Sequence, residues 1–420
     1  MLCAARRLVR NGPAWLSMGR LARIAIRNVL RHPRRTGITC GAVAVGMAAM
    51  VVAAGFVDFT LWGLREAIVY GGLGHLQILP ARTEPRARLS AAVAREVDTA
   101  IQALPHVAVV APRLEFQGLV SAGPRTMAFS GVGVDAIPEA RLRSLMMVVA
   151  GRWFTGAERS PQVLIGRGLA ERLRVRPRSL VSLIAYSDRG SMSATEAEVA
   201  GIFESGVLEY DARTLFVPVA AARELMQTDG TSSVAVALRD AEEVRRAVAH
   251  LRHTFSEKNI GVRLATWDEL SPVYASVVRL YRWILDVFLT IVTLVVVLGV
   301  ANTMSMAVLE RTAEVGVLRA LGFGPWRVLA MFVAESATIG VSGAALGSAL
   351  GLMACVAISS VGIDMPPPPG HSQGYVAQVH VVPRAFAIAV AIVVLAAISA
   401  AIVPSLRAIR GEVSDALRAT

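Results

Sequence analysis

The sequence predicts a membrane protein with four transmembrane α-helices and a large α+β domain between the first and second helix. Hydrophobic residues make up 54% and charged residues only 18% of the 420 residues, which is too apolar for a typical soluble protein. Four apolar stretches are each long enough to cross a bilayer, which takes about 20 residues. The region between the first two stretches instead alternates strand-like and helix-like segments.

The four predicted transmembrane spans cover residues 37–62, 282–309, 325–359 and 384–404. The first span is uncharged from Gly37 to Val57. A secretory signal peptide is the alternative interpretation of this span. However, the apolar run is longer than the usual hydrophobic region of about 7–15 residues, and 36 residues precede it, so a membrane span is favoured.

Arginine predicts the orientation of the spans. The N-terminal segment, the loop between the second and third spans and the C-terminal tail carry 15 arginines against four acidic residues, which leaves the rest of the chain almost neutral. Because basic loops stay in the cytoplasm, residues 1–36, 310–324 and 405–420 are expected to be cytoplasmic. The region 63–281 and the loop 360–383 are then extracytoplasmic. Nucleic-acid binding would also suit a basic N-terminal segment, but no nucleic-acid-binding motif accompanies it.

The extracytoplasmic region 63–281 is predicted to be an α+β domain with a split core. A strand–helix–strand pattern occupies residues 63–123 and recurs over residues 231–275. Two such halves predict one core of βαβ units interrupted by an insert. The insert, residues 124–230, has short strand-like runs separated by Gly, Pro and Ser and is predicted to be mostly β.

The sequence carries no recognisable motif for nucleotide, metal or catalytic chemistry. Lys258 is the only lysine, and it does not stand in the Gly-Lys-Ser/Thr sequence of a Walker A loop. We therefore expect no cofactor and no catalytic residue on this chain. His250 and His253 are three residues apart on a predicted helix, but a metal site needs further ligands, and a solvated helix surface is favoured.

Three acidic residues lie in or beside the spans. Asp58 and Asp286 fall near the outer ends of the first two spans, where a carboxylate can remain at the water interface. Two aspartates could also indicate an intramembrane protease, but their interfacial position favours a structural role. Glu335 lies near the inner end of the third span, and we expect it to pair with a basic group of the loop 310–324 rather than to act in transport.

The third span has glycines on one helical face, at Gly343, Gly347 and Gly351. Small residues at a spacing of four allow another helix to approach closely in lipid. That helix could belong to the same chain or to a second copy.

The segment Glu310–Leu329 contains a short charged helix between two apolar spans. Apolar residues at Val308, Val315 and Leu318 recur at about helical spacing, and a Gly-Phe-Gly-Pro sequence then ends the helix. A helix this short is unstable alone and needs a partner surface. An interfacial helix lying on lipid is the alternative, but it would not explain two glutamates beside anionic headgroups.

The sequence ERTAEVGVLRALGFGPWRVLAMFVAES, followed by a glycine-rich span, resembles the signature of MacB/FtsX-type ABC transporter permeases. The segments LARIAIRNVLRHPRRTGIT and PSLRAIRGEVSDALRAT are similar to the two ends of the same family. The resemblance covers all four spans and their order. It implies a multi-pass protein of the bacterial inner membrane with both termini cytoplasmic, and an outer domain like the porter-like domain of MacB.

The resemblance also implies a function for the short helix. It would be the coupling helix that docks into a separate cytoplasmic ABC ATPase subunit, and ATP and Mg would bind to that partner. A second permease would complete a homodimer or a heterodimer. The residues expected to form the coupling site are Glu310, Arg311, Glu314, Val315, Gly316, Leu318, Arg319, Ala320, Leu321 and Gly322.

Within the family, the sequence GIFESGVLEYDARTLFVPVAAARELM resembles the outer domains of the lipoprotein-releasing permeases LolC and LolE. This resemblance implies a non-catalytic subunit that releases lipoprotein or lipid from the inner membrane, with a periplasmic lipoprotein carrier as a further partner. Two alternatives stay open. One is MacB-like efflux of a peptide or drug from the periplasm, and the other is an FtsX-like scaffold that controls an extracytoplasmic hydrolase.

A substrate path is predicted at the outer ends of the first two spans, where acyl chains would leave lipid. Each CH₂ group held in lipid is worth about 0.8 kcal/mol, so extraction requires work. An ordinary aromatic belt at the membrane interface is the alternative. The residues assigned to the path are Val52, Phe56, Phe59, Trp283 and Phe288.

Overall fold

A computed structural model describes residues 33–81, 87–154, 161–240, 243–321, 323–367, 372 and 374–410. The chain divides into two compact units, which we describe separately. The helical unit comprises the residues up to Thr60, Arg279–Ile363 and the residues from Val376 onward. The α/β unit comprises Leu61–Val278 and Asp364–Tyr375. Several expected segments lie outside the described residues: most of 1–36, residue Gly322, residues 368 and 369 of the proline-rich loop, and the tail 411–420.

The helices of the described residues follow one another in chain order as α1 (Pro33–Ile68), α2 (Ala91–Gln102), α3 (Ala136–Leu142), α4 (Arg167–Leu173), α5 (Leu208–Asp211), α6 (Val219–Met226), α7 (Val244–Glu257), α8 (Trp267–Leu270), α9 (Pro272–Glu310), α10 (Thr312–Ala320), α11 (Pro325–Val361) and α12 (Pro383–Arg410). A π-helical turn, Val69–Leu73, follows α1. Its Gly72 has a φ of 130°, a conformation that glycine adopts without a side-chain clash.

The strands are β1 (Leu76–Pro80), β2 (Val107–Ala122), β3 (Arg125–Val134), β4 (Met147–Gly151), β5 (Gln162–Gly166), β6 (Leu180–Tyr186), β7 (Met192–Glu204), β8 (Thr214–Pro218), β9 (Ser233–Leu238), β10 (Val262–Thr266), β11 (Ile363–Met365) and β12 (Tyr375–Ala377). The first ten belong to one sheet, and β11 and β12 pair with each other. The short β11–β12 pair flanks the proline-rich loop.

Four helices in the described part of the chain are long and apolar enough to cross a membrane, which confirms the predicted four-span fold. They are Pro33–Leu73, Tyr274–Glu310, Pro325–Val361 and Pro383–Arg407. The first two are longer than the apolar runs that predict them, since α1 continues through Arg65 and α9 begins before Arg279. Once a helix is nucleated, each further residue adds one backbone hydrogen bond, so polar residues can extend it beyond the apolar run.

In the helical unit, α1 packs against α9 and α11 packs against α12. A Cβ atom on Gly46 would lie 3.1 Å from the side chain of Val296 on α9, so glycine allows the two helices to approach closely. A Cβ atom on Gly340 of α11 would lie 2.8 Å from Ala397 on α12. The hydroxyl of Ser336 donates a hydrogen bond to the carbonyl of Ala397 at the same contact.

In the α/β unit, the two predicted βαβ patterns interlock in one sheet. The strand order β10–β1–β9–β2 places a strand of one pattern between the two strands of the other, and neighbouring strands are antiparallel. Helices α2 and α7 bury Val97, Ile101, Leu251 and Phe255 in one hydrophobic core with β1 and β9. This arrangement confirms the predicted split α+β fold.

The insert is mostly β, as expected, but its strands close into a ring that the sequence pattern did not predict. The long strand β2 pairs with β9 near its start and with β6 near its end. From β2 the pairing runs through β3, β8, β5, β7 and β6 back to β2. Leu114, Val163, Val181 and Leu215 belong to the core of this six-stranded barrel. Closure pairs both edges of each of these strands along part of its length.

Candidate functional site

The predicted coupling helix is α10, and it starts two residues later than expected. Helix α9 runs through Glu310, and Arg311 then leaves helical geometry with φ −113° and ψ 18°. Helix α10 follows from Thr312 to Ala320, and α11 begins at Pro325. Glu310 therefore belongs to the end of the second span. Of the predicted coupling residues, Gly322 lies outside the described residues.

The apolar stripe of α10 packs against its own chain, which corrects the expectation that this stripe needs an external partner. Val315 is only 4% exposed and joins the core of the helical unit with Val308. Arg311 and Gly316 are buried as well. These three residues therefore pack against their own chain.

The opposite face of α10 is exposed. Glu314 and Ala320 face outward, Val317 is 49% exposed and Leu321 is 73% exposed. Leu318 and Arg319 are half-buried at the edge between the two faces. We name the residues Glu314, Val317, Ala320 and Leu321 the outer face of α10.

A buried ion pair joins the start of α10 to α11. Arg311 Nη1 lies 3.2 Å from Glu335 Oε2, and both side chains are less than a tenth exposed. The predicted pairing of Glu335 with a basic group of the middle loop is confirmed. Because a buried charge without a partner is costly, this pair fixes the position of α10 relative to α11.

Polar contacts join the end of α9 to the start of α1. Glu310 Oε2 lies 2.6 Å from Arg35 Nη1, and the hydroxyls of Thr39 and Thr303 are 2.7 Å apart. The segment that carries α10 therefore contacts both α1 and α11. A displacement of α10 would act on both helices.

The glycine stripe of α11 lies against α1 of the same chain. A Cβ atom on Gly343 would lie 2.5 Å from Val43 Cγ1, and one on Gly347 would lie 2.5 Å from Met47 Cβ. Gly351 also faces α1, where a Cβ atom would lie 3.3 Å from the backbone of residue 48. In this structure the stripe serves helix packing within one chain.

Comparison with known protein families agrees with this architecture. Residues 36–254, more than half of the chain, match the family model of the MacB-like periplasmic core domain, and residues 287–413 match that of the FtsX-like permease C-terminal region. The chain belongs to the MacB/FtsX-type ABC transporter permease family.

Relatives of this permease occur in bacteria and archaea. An ABC transporter permease of Methanocaldococcus jannaschii is 25% identical over 54% of this chain and 53% of its own length. The lipoprotein-releasing system transmembrane protein LolE of Haemophilus influenzae is 20% identical over 74% of this chain and 75% of its own. The macrolide export ATP-binding/permease protein MacB of Nitrosomonas europaea is 24% identical over 81% of this chain and 52% of its own. The chain thus spans about half the length of two of these relatives.

Two solved structures are similar to part of the permease. The similarity to the extracellular domain of YknZ from Gram-positive bacteria covers 46% of this chain and 99% of that domain, with 12% identity and a TM-score of 0.34. The similarity to the periplasmic region of MacB from Actinobacillus actinomycetemcomitans covers 48% of this chain and 94% of that region, with 11% identity and a TM-score of 0.36.

The predicted substrate-path residues of the permease lie in different environments. On α1, Val52 and Phe56 are half-buried against the core of the helical unit. The ring of Phe59 packs edge-on against His380, with centroids 5.3 Å apart. On α9, Trp283 is 66% exposed and Phe288 is half-buried.

His380, in the segment before α12, contacts α1 near Phe59. Its Nδ1 lies 2.9 Å from Asp58 Oδ2, and its backbone N–H donates to the carbonyl of Gly55. A Cβ atom on Gly55 would lie within 2.3 Å of the carbonyl oxygen of His380, so the chain requires glycine there. Asp58 thus takes part in a contact between α1 and the segment before α12, which agrees with the structural role expected for it.

The α/β unit of the permease contains a buried charged network that the sequence did not reveal. Glu139 is fully buried, and Arg113 Nη2 lies 2.8 Å from its Oε1. Arg143 also pairs with Glu139, and its Nη1 donates a 2.7 Å hydrogen bond to the carbonyl of Gly71 in the π turn. Glu139 lies on α3 and Arg143 directly follows it, and their spacing of four residues was the only sequence signal of the network.

The network keeps Glu139 charged. Burial by itself would raise the pKa of Glu139, but the charges of Arg113 and Arg143 and their hydrogen bonds outweigh it and hold the pKa below its ordinary value. The guanidinium of Arg143 also lies 4.6 Å from the ring centroid of Phe216. The network therefore fastens the π turn after α1 to α3 and to the barrel.

Proposed function

We propose that this permease converts the movement of a separate ATPase subunit into a conformational change of its α/β unit, and that its cargo is a lipoprotein or lipid of the inner membrane. The chain contributes no catalytic residue to this cycle. ATP and Mg would bind to the partner, and a second permease would complete the complex. The N-terminus, the C-terminus and α10 would be cytoplasmic.

The observation that carries the proposal is the set of contacts that begins at α10. Arg311, at the start of α10, pairs with Glu335 of α11. Glu310, the residue before it, pairs with Arg35 of α1. Helix α1 then continues without a break to Ile68 and into the π turn, whose Gly71 carbonyl accepts a hydrogen bond from Arg143. A push on α10 would therefore act on the helix that leads directly into the α/β unit.

The outer face of α10 supports docking of the partner. Val317 and Leu321 expose large apolar side chains beside Glu314, and Trp326 at the start of α11 is 75% exposed. Apolar residues next to a charge are typical of an interface centre with a polar rim. We propose that the ATPase binds this face, while the buried face described above keeps α10 attached to its own chain.

Similarity to LolE and LolC supports a lipoprotein as the cargo, since both are named as lipoprotein-releasing proteins. Acyl chains stay in the bilayer because each buried CH₂ group contributes about 0.8 kcal/mol, so their release must be driven. The half-buried aromatic residues Phe56 and Phe288 offer apolar contacts near the outer ends of α1 and α9. The relative MacB keeps efflux of a peptide or drug as the second candidate.

Photo-crosslinking tests the cargo. A photoreactive phenylalanine analogue at Phe56 or Phe288 should capture an acylated protein in native membranes without ATP and release it when ATP is added. The same probe at Leu395, an exposed residue of α12, is the control and should capture phospholipid only.

The captured molecule decides between the candidates. Capture of a peptide or small drug at Phe56 would indicate that the permease acts in efflux. Capture of a hydrolase would indicate that it is a signalling scaffold. Capture of phospholipid alone, with or without ATP, would mean that these residues form an ordinary aromatic belt.

A further inference from the structure

The end of α4 and the loop that follows it present arginine at every second position. Arg172, Arg174, Arg176 and Arg178 are all exposed, while Leu173 and Val175 between them are buried in the barrel core. Alternation of this kind directs the arginines outward and anchors the segment to the barrel. We name these four residues the arginine row.

The guanidinium groups of the row have no carboxylate partner within 4.0 Å among the described residues. Two acids near the cavity already pair with another arginine. Arg167 on α4 lies 3.1 Å from Glu171 Oε1 and 3.0 Å from Glu204 Oε2. Arg167 pairs with both of these carboxylates, while the four arginines of the row take no part in the ion pairs of the described residues.

A cavity of about 410 Å³ opens beside the row. Arg174 and Arg176 line it together with the paired Arg167 and Glu171. Its apolar wall includes Val149, which is 46% exposed. Ile202 of β7 also contributes to this wall. A lining that combines cationic and aliphatic groups suits an anion that carries an apolar substituent.

The backbone of the row is strained at two arginines. Arg174 has φ 57° and Arg178 has φ 74°, in the left-handed region where glycine is favoured. Arg174 ends α4 in this conformation, with its N–H bonded to the carbonyls of Ala170 and Glu171. Glycine would adopt these positive φ angles at least as easily, so the fold itself does not require an arginine side chain at these positions.

We propose that Arg174 and Arg176, supported by Arg172 and Arg178, bind the phosphate group of a ligand whose apolar part contacts Val149 and Ile202. Arginine suits phosphate because its planar guanidinium donates two parallel hydrogen bonds to adjacent oxygens. A cavity of this size accommodates a headgroup rather than a folded partner. The phosphate could belong to a lipid headgroup or be free in solution. This site is distinct from the proposed coupling and cargo residues.

Direct binding to the full-length chain tests the site. The purified chain would be held in phosphatidylcholine nanodiscs and titrated by calorimetry with inorganic phosphate and with dihexanoyl phosphatidic acid. The double variant Arg174→Gly with Arg176→Ser removes both cavity-lining guanidinium groups, and the glycine also relieves the backbone at position 174. The control Arg245→Ser with Arg252→Ser removes two exposed arginines from α7 instead.

Wild type should bind at least one probe saturably, the site variant should bind it at least about tenfold more weakly, and the control should stay within about twofold of wild type. Tighter binding of the short-chain lipid than of phosphate would identify a lipid headgroup, and equal binding would identify free phosphate. Three results would overturn the site: no saturable binding of either probe, a site variant equal to wild type, or a control that loses as much affinity as the site variant. Arg174→Lys with Arg176→Lys keeps the charge but loses the paired donors, and it should fall between wild type and the site variant.

Discussion

Glu139 shows how a single residue can hold an irregular backbone turn. Its carboxylate is fully buried and forms ion pairs with Arg113 and Arg143. Arg143 also donates a hydrogen bond to the carbonyl of Gly71 in the π turn. The same guanidinium occupies the space beside Gly72, where a Cβ atom would lie 2.4 Å from it. The turn after α1 therefore depends on a charge on α3.

This network predicts a pH dependence of stability. Because the pKa of Glu139 is lowered in the folded state, its contribution is fully present above the ordinary glutamate value of 4.5 and is lost as the pH falls below that value. Glu139→Gln should therefore be clearly less stable than wild type at neutral pH, by several kcal/mol as for a broken buried ion pair, and the difference should shrink in acid.

Thermal unfolding of the two proteins across this pH range measures the effect. Glu171→Gln is the control, because Glu171 is two-thirds exposed and should show little change at any pH. A difference between Glu139→Gln and wild type that stays constant with pH would show that the carboxylate is not held charged by the arginines.

The sequence predicted the contact of a single residue where that residue differs in charge from its neighbours in the chain. Glu335 is an acidic residue in an apolar span, so a basic partner could be inferred, and Arg311 is that partner. The hydrogen bond from Arg143 to Gly71 joins residues 72 positions apart and has no local signature. The exposed Val317 was missed, because the apolar pattern predicted a stripe but not which side of the helix the chain itself would cover.

At the scale of elements, the contact between α1 and α11 depends on glycine. A Cβ atom on Gly347 would lie 2.5 Å from Met47 Cβ and 2.6 Å from the carbonyl oxygen of Ala44. The backbone oxygen cannot move aside without shifting α1. Gly299 on α9 has no atom within 4 Å of the same position and provides a matched comparison.

The predicted effect of alanine is therefore opposite at the two glycines. Gly299→Ala should be neutral or stabilising by about 0.5–1 kcal/mol, since alanine favours the helix. Gly347→Ala should destabilise the helical unit, because the clash with α1 exceeds that gain. Thermal unfolding in nanodiscs compares the two variants. Equal stability of both would show that α1 and α11 do not pack through this stripe.

Element positions were predictable to different degrees. Apolar length located the four spans, and the alternation of strands and helices located the two βαβ patterns on either side of the insert. Closure of the barrel was not predictable, since it depends on β2 pairing with β6 some 60 residues later in the chain. The charged ends that join α1 and α9 to the α/β unit were assigned to the extracytoplasmic domain, because local composition does not show where a helix stops.

At the scale of the whole molecule, the arginine distribution predicts the orientation in the membrane. Single cysteines at Ser191 and Ser256 of the α/β unit should react from outside the cell with an impermeant thiol reagent, and one at Thr312 of α10 should not. All three positions are exposed, so burial does not confound the comparison. Cys3, Cys40 and Cys355 would first be replaced. Labelling of Thr312→Cys in intact cells would contradict the four-span orientation.

The coupling of α10 to the α/β unit is the central claim, and ATPase stimulation in the assembled complex tests it most directly. Val317→Asp with Leu321→Asp changes only exposed side chains of the outer face, so the permease should remain folded and inserted. The control Ile137→Asp with Leu208→Asp alters two exposed apolar residues of the α/β unit in the same way. The outer-face variant should lose stimulation of the partner ATPase by about tenfold or more, as expected for an interface centre, while the control keeps it. Undiminished stimulation by the outer-face variant would contradict the account and place the docking surface elsewhere.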